Sequence, residues 1–234
     1  RGLGKRATVV APNTFPSFLA WMPGAQEVIV YETHAKEANE VLEAADLAIC
    51  TDFNEPKRIG MVGDKLMALS CPKILIDHHL HPADFADVTI SYFDSPSASE
   101  LVYRLIWQLN APLTKDAATC LYTGMMTDTG NFSFNSNHPE MYEIVGRLVS
   151  LGVDKDAVYN AVFNSYSADR MRLMGYCLYQ KMRIFPEYHT ALIYLSRKEL
   201  YKFNFQSGDA EGIVNLPLQI KDVYYSCFMR EDKV

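Results

Sequence analysis

The feature that most constrains this chain is a set of short apolar runs recurring about every twenty residues: Ala7-Thr8-Val9-Val10, Val28-Ile29-Val30-Tyr31, Leu47-Ala48-Ile49-Cys50, Lys73-Ile74-Leu75-Ile76 and Val88-Thr89-Ile90. Runs of this length, rich in β-branched residues, are the pattern of strands buried on both faces. Between some of them lie amphipathic stretches such as Lys36 to Ala45, which carries Ala38, Val41, Leu42 and Ala45 on one stripe. Strand and helix in alternation imply an α/β fold with a parallel, doubly wound sheet.

Past Ile90 the texture turns helical. Ser97 and Glu100 are spaced as a capping box before Leu101, Val102, Leu105, Ile106 and Leu109, and Thr114 is placed to cap a helix through Leu121 and Met125. Asn137 with Glu140 opens another helix, which Gly152 closes, and His138-Pro139 reads as part of that helix start. Asp154 caps a long helical segment to about Met182, with a break near Ser165 to Ser167, which we expect to bridge two lobes. Thr190 to Leu195 and Val223 to Phe228 read as strands flanking a short helix around Ala210 to Leu216. At the ends, Arg1-Gly2-Leu3-Gly4-Lys5 resembles the C-terminus of a helix, and Arg230 to Val234 resembles a hairpin turn without its returning strand. We therefore expect a first domain over 1–153, a linker helix over 154–185 and a smaller α/β domain over 186–234, with both domains incomplete.

Composition narrows the partners. With 234 residues and about 150 per domain, the chain is long enough for one full domain and part of a second. A formal charge of −6 argues against a broad phosphate-binding surface, so any nucleic-acid contact is local. No run of about 18 apolar residues and no basic-then-apolar leader is present, and the expectation is a soluble, cytoplasmic chain without a membrane span. Its cysteines, Cys50, Cys71, Cys120, Cys177 and Cys227, are odd in number, and no two form a C-x-x-C pair.

The sharpest chemical signal is the run Ile74-Leu75-Ile76 leading directly into Asp77-His78-His79. Ligands of open parallel sheets bind outside the carboxyl ends of strands, so three metal-competent side chains there are well placed. Adjacent histidines on a strand face opposite ways, but at a strand exit both can turn to one crevice, one as ligand and one toward substrate. Asp77 is suited to hold an imidazole N–H and set its tautomer. A polar turn with solvated histidines is the alternative. Asp52 ends another buried run, and Asp128 stands between two threonines in Thr123 to Phe132; read singly, each is an ordinary turn residue. Together Asp52, His78 and Asp128 supply carboxylate, imidazole and carboxylate, a set suited to Mn²⁺, Mg²⁺ or Zn²⁺. Two cations about 3.5–4 Å apart, bridged by Asp52, would clamp the attacking and leaving oxygens of a phosphoryl displacement. His34, His81 and His189 lack such partners. Arg58 could reach Asp52 or a phosphate, or form a helix-start pair.

With these residues in hand the chain resembles the DHH phosphoesterase family, named for the tripeptide that stands here as Asp77-His78-His79. The resemblance also covers Asp52 with Arg58-Ile59-Gly60, the Ser97-Ala98-Ser99-Glu100 helix start, Gly124 to Phe132, and Glu211-Gly212-Ile213-Val214-Asn215 in the DHH-associated region. It is nearest to the two-domain bacterial group of oligoribonucleases and 3′-phosphoadenosine 5′-phosphate phosphatases, often labelled exopolyphosphatase-related. It implies that Asp52 bridges two Mn²⁺ ions, or Mg²⁺, that His78 and Asp128 ligate one of them, and that His79 contacts substrate phosphate or supports the site. The implied substrates are short single-stranded RNA or DNA, or nucleotides, and a homodimer is compatible with the group. Pyrophosphate or polyphosphate hydrolysis, or non-catalytic nucleotide binding, are the alternative functions. The family's His-x-x-Pro-Asp-x-Asp and Gly-Gly-His motifs are not found in this sequence. The polypeptide by itself is therefore expected to hold metal weakly and to turn over little substrate.

Overall fold

The computed structural model describes residues 4–206 and 208–231, as a mixed α/β chain with parallel sheets. The helix end expected at Arg1 to Lys5 and the turn expected at Arg230 to Val234 fall partly outside these residues. The chain divides into two compact units, Arg1–Thr14 with Ala20–Tyr159, and Phe15–Leu19 with Asn160–Val234. The division after Tyr159 lies a few residues past the boundary expected at 154. The assignment of Phe15–Leu19 to the second unit has no counterpart in the sequence pattern.

In the first unit, β1 (Val10–Ala11) pairs in parallel with β2 (Ile29–Val30). A separate three-stranded parallel sheet has the order β3 (Ala48–Thr51), β4 (Lys73–Asp77), β5 (Val88–Ser91). The five apolar runs thus become a pair and a triple. Only β4 is flanked on both sides, and its Leu75, Ile76 and Asp77 are buried, whereas Ile49 on β3 and Val88 on β5 are exposed. Helix α1 (Tyr31–Glu43) begins five residues earlier than expected and is kinked at His34; it packs Tyr31 and Ala38 against Val62. Val62 belongs to α2 (Met61–Ala68), a helix the sequence reading did not anticipate. Gly63 lets α2 lie on the preceding turn: a Cβ there would sit 2.1 Å from the Pro56 carbonyl oxygen. Leu66 of α2 closes over Cys50 and Leu75 of the sheet.

The rest of this unit is a helical layer of α3 (Ala98–Gln108), α4 (Lys115–Asp128) and α5 (Pro139–Ser150). Ser97 caps α3 by accepting from the Glu100 amide at 3.1 Å, and Thr114 caps α4 by accepting from Ala117 at 3.2 Å. The expected capping box at Ser97 is only half formed, because the Glu100 carboxylate binds Arg104 instead. Helix α5 opens on Pro139 with His138 as its N-cap and no side-chain cap, so Asn137 does not start it. Proline suits a first position whose N–H would have no helical partner. Leu101, Leu121, Met125, Met126, Met141, Ile144 and Leu148 form the buried interior of the layer. Gly124 sets the approach of α4 to α3, since a Cβ there would fall 2.0 Å from Ser99 Oγ.

The long segment expected past Asp154 breaks where its serines stand, into α6 (Lys155–Phe163) and α7 (Ala168–Tyr176), the latter running on into a π turn, Cys177–Lys181. The break is chemical: Ser167 leaves the helical path to cap α7, accepting from the Arg170 amide at 3.0 Å. In the second unit, β6 (Arg183–Phe185) is antiparallel to β7 (Thr190–Leu195), and β7 is parallel to β8 (Tyr225–Arg230). A capped helix, α8 (Arg197–Lys202), follows β7, and the helix expected near 210–216 is a 3₁₀ turn over Ile213–Gln219. Leu173, Cys177, Ile193, Leu195 and Ile213 form this unit's core.

Candidate metal centre

The site is built at the carboxyl end of the β3-β4-β5 sheet. At the exit of β3 the Asp52 amide still donates to the Ile76 carbonyl at 3.1 Å, but its φ of +64° turns the chain sharply. Aspartate tolerates this left-handed region better than most residues, and such positions recur where a side chain must be aimed. Two residues on, Asn54 ties the loop after β4 back to this exit: its Nδ2 donates to the Leu80 carbonyl and its own carbonyl accepts from Ala83, both at 2.7 Å. Phe53 stacks on Phe85 with ring centroids 6.1 Å apart and reinforces the same closure.

The exit of β4 supplies the imidazoles. Asp77 is fully buried and accepts twice from His79, from its backbone amide at 3.1 Å and from Nδ1 at 2.8 Å. His78 turns the other way, and its Nδ1 lies 3.2 Å from the Ser95 carbonyl oxygen. A carbonyl only accepts, so Nδ1 carries the hydrogen and Nε2 of the neutral ring is a bare lone pair. That Nε2 sits 3.3 Å from Asp52 Oδ1 and 3.8 Å from Asp128 Oδ2. The hydrogen bond to Asp52 raises the His78 pKa; burial opposes this, and the Ser95 carbonyl assists it. A bare nitrogen between two carboxylates needs a proton or a cation.

Asp128 is the last residue of α4. Thr129 beside it is buried, donates to the Met125 carbonyl at 2.7 Å and accepts from the Phe132 amide at 3.0 Å, so the chain is folded tightly past the helix end. Gly130, Asn131 and Phe132 all take positive φ, and Phe132 is held between Tyr122 and Tyr142 at 5.8 and 6.3 Å. Burial, and next the Asp52 carboxylate, push Asp128 up to about 6, with the two histidines pulling the other way.

The structure thus brings Asp52, His78 and Asp128 together, with His79 beside them and Asp77 beneath. Among the described residues, Asp52, His78 and His79 offer donor atoms within 4.8 Å of one another, and Asp128 joins them through His78. Carboxylate oxygen with imidazole nitrogen is a donor set that fits Mn²⁺, Mg²⁺ or Zn²⁺. Arg58 does not reach Asp52; its Nη1 lies 3.4 Å from Asn54 Oδ1. Two supports escaped the sequence reading. The Ser95 carbonyl has no residue-type signal, whereas Asn54, two residues after Asp52, had a polar side chain that could have drawn notice.

Similarity to known proteins follows the same residues. The DHH family, N-terminal domain, matches residues 5–125, which include Asp52 and Asp77-His78-His79 and end three positions before Asp128. A solved structure of an exopolyphosphatase-related protein from Bacteroides fragilis is 47% identical with a TM-score of 0.89, over 96% of this chain and 66% of that one. The bifunctional oligoribonuclease and PAP phosphatase NrnA of Bacillus subtilis is 24% identical over 75% of this chain and 55% of its own length. The enzyme of the same name from Thermus thermophilus is 29% identical over 65% of this chain and 43% of its own. The chain spans less than two thirds of the length of each of these proteins, and no helix among the described residues is long and apolar enough to cross a membrane. With the family's matched region covering half of its residues and the Asp-His-His tripeptide standing at the exit of the central strand, the chain belongs to the DHH family of phosphoesterases.

Proposed function

We propose that this chain carries a metal-binding rim of a Mn²⁺-dependent phosphoesterase acting on short oligonucleotides or on nucleotides of the 3′-phosphoadenosine 5′-phosphate type. The observation behind the reading is His78 Nε2 facing Asp52 at 3.3 Å and Asp128 at 3.8 Å. These three residues would hold the ion. His79 Nδ1 is engaged by Asp77, so Nε2 is the ring nitrogen left to face a substrate. Asp77 is buried away from any substrate and acts by positioning that ring. A divalent ion held here would polarise a phosphoryl oxygen and acidify a bound water. Asp52 and Asp128 in turn would orient that water by accepting its hydrogens. The chain's net charge of −6 favours short substrates, because a long strand finds little electrostatic track.

The names of the two NrnA relatives motivate the nucleotide substrates, and the exopolyphosphatase-related protein of Bacteroides fragilis motivates polyphosphate as the second reading. Mn²⁺-dependent release of phosphate or mononucleotide is to be measured with 3′-phosphoadenosine 5′-phosphate, a short oligoribonucleotide, pyrophosphate and polyphosphate. Hydrolysis of the first two that is lost in Asp128→Ala supports the reading. Turnover of pyrophosphate or polyphosphate alone moves it to the second, and nucleotide binding without turnover in the full-length protein rejects both.

A further inference from the structure

Away from the metal rim, the first unit carries a half-open cavity of about 420 Å³ bounded by the end of β5, helix α3 and the start of α5. Its floor is Glu100, which is 3% exposed. Glu100 Oε1 accepts from both Arg104 Nε at 2.8 Å and Arg104 Nη2 at 2.6 Å, whereas Oε2 is buried and has no hydrogen-bond partner among the described residues. A buried carboxylate oxygen without a donor is costly, and few native groups are left so. Two further carboxylates, Asp94 and Glu140, line the same space, and its one guanidinium, Arg104, is already engaged with Oε1.

This lining selects the chemistry of an occupant. Three carboxylates against one guanidinium repel a phosphate, so the nucleotides proposed for the rim do not belong here. A bare divalent ion does not fit, because among the described residues the convergent metal-competent donors are those of the rim. An alkylammonium fits: it offers N–H donors to Oε2, opposite charge to Asp94 and Glu140, and methylenes to Leu101 and Leu105 on the wall. Ser95, whose carbonyl holds His78, lines the cavity too.

We propose that this cavity is a binding site for an alkylammonium ligand, a free diamine or polyamine, with one ammonium group donating to Glu100 Oε2 as the carboxylate, closed to solvent in this structure, turns toward the cavity. The test is calorimetric titration of the Mn²⁺-saturated protein with spermidine. The expected result is saturable binding that weakens at least tenfold in Glu100→Gln and about threefold in the Asp94→Asn/Glu140→Gln double variant, and is unchanged when the Mn²⁺ concentration is raised tenfold. The double variant alters only exposed side chains and decides the matter even if Glu100→Gln fails to fold. Absence of saturable binding, unchanged affinity in the double variant, or binding that weakens as Mn²⁺ is raised overturns the proposal. So does sedimentation showing self-association that the double variant abolishes without spermidine binding, since the ammonium would then be a lysine of a second copy.

Discussion

The two imidazoles of the rim are held from behind, whereas its two carboxylates make their charged contacts within the rim itself. His78 is fixed through the Ser95 carbonyl and His79 through two bonds to the buried Asp77. Asp52 and Asp128 instead face His78 at 3.3 and 3.8 Å, and Asp52 also faces His79 at 3.9 Å. The imidazole half is therefore set by the fold before any ion arrives. The carboxylate half carries mutual repulsion, visible in the push of Asp128 up to about 6, that only a proton or a cation relieves.

Breaking the carboxylate half should have the largest effect. Asp52→Asn or Asp128→Asn should weaken Mn²⁺ binding, read by calorimetry, by more than the roughly 10–100-fold typical of residues that merely support a ligand. Asp128→Asn should also leave the metal-free protein at least as thermally stable at pH 7, because a strained charge is removed. Breaking the imidazole half from behind should fall inside that range: Asp77→Asn turns an acceptor toward His79 into an amide, and turnover should drop about 10–100-fold. The two halves also differ in their response to pH. Asp128 binds its proton more tightly folded than the ordinary carboxylate value near 3.9, so its ionisation removes stability as pH rises from about 4 to 6. His78, with a raised pKa, contributes stability fully present below about 6.5 and lost as pH rises through its folded value. Both signs agree: the metal-free protein should lose melting temperature as pH rises from about 4 to 6 and again above about 6.5, while Mn²⁺ affinity rises as protons leave the rim. The smallest effect comes from outside it. Gly124→Ala forces a methyl to 2.0 Å from Ser99 Oγ and should destabilise by about 1–3 kcal/mol in chemical denaturation.

What the sequence made legible divides along physical lines. Strands β3 and β4 were readable because burial between neighbours demands an unbroken apolar run, and the residues that end them, Asp52 and Asp77-His78-His79, were conspicuous because charge follows that run abruptly. Helix α2 was missed: its exposed Met61 and Met67 blur its apolar stripe, and its close seat depends on Gly63 meeting Pro56, a tertiary fact. The break expected near Ser165 to Ser167 stands between α6 and α7, and it was readable because a serine there competes with helix continuation by capping the next turn. The Ser95 carbonyl behind His78, 17 residues away, and the cavity over Glu100, to which Glu140 comes from α5, depend on segments meeting in space, which no local pattern reports.

His78, whose Nε2 faces both Asp52 and Asp128, is the imidazole expected to take the ion. Pulsed electron paramagnetic resonance of the Mn²⁺-loaded protein reads directly bound imidazole nitrogen. The account predicts a nitrogen coupling that disappears in His78→Ala and persists in His79→Ala. A coupling that survives in His78→Ala would contradict it.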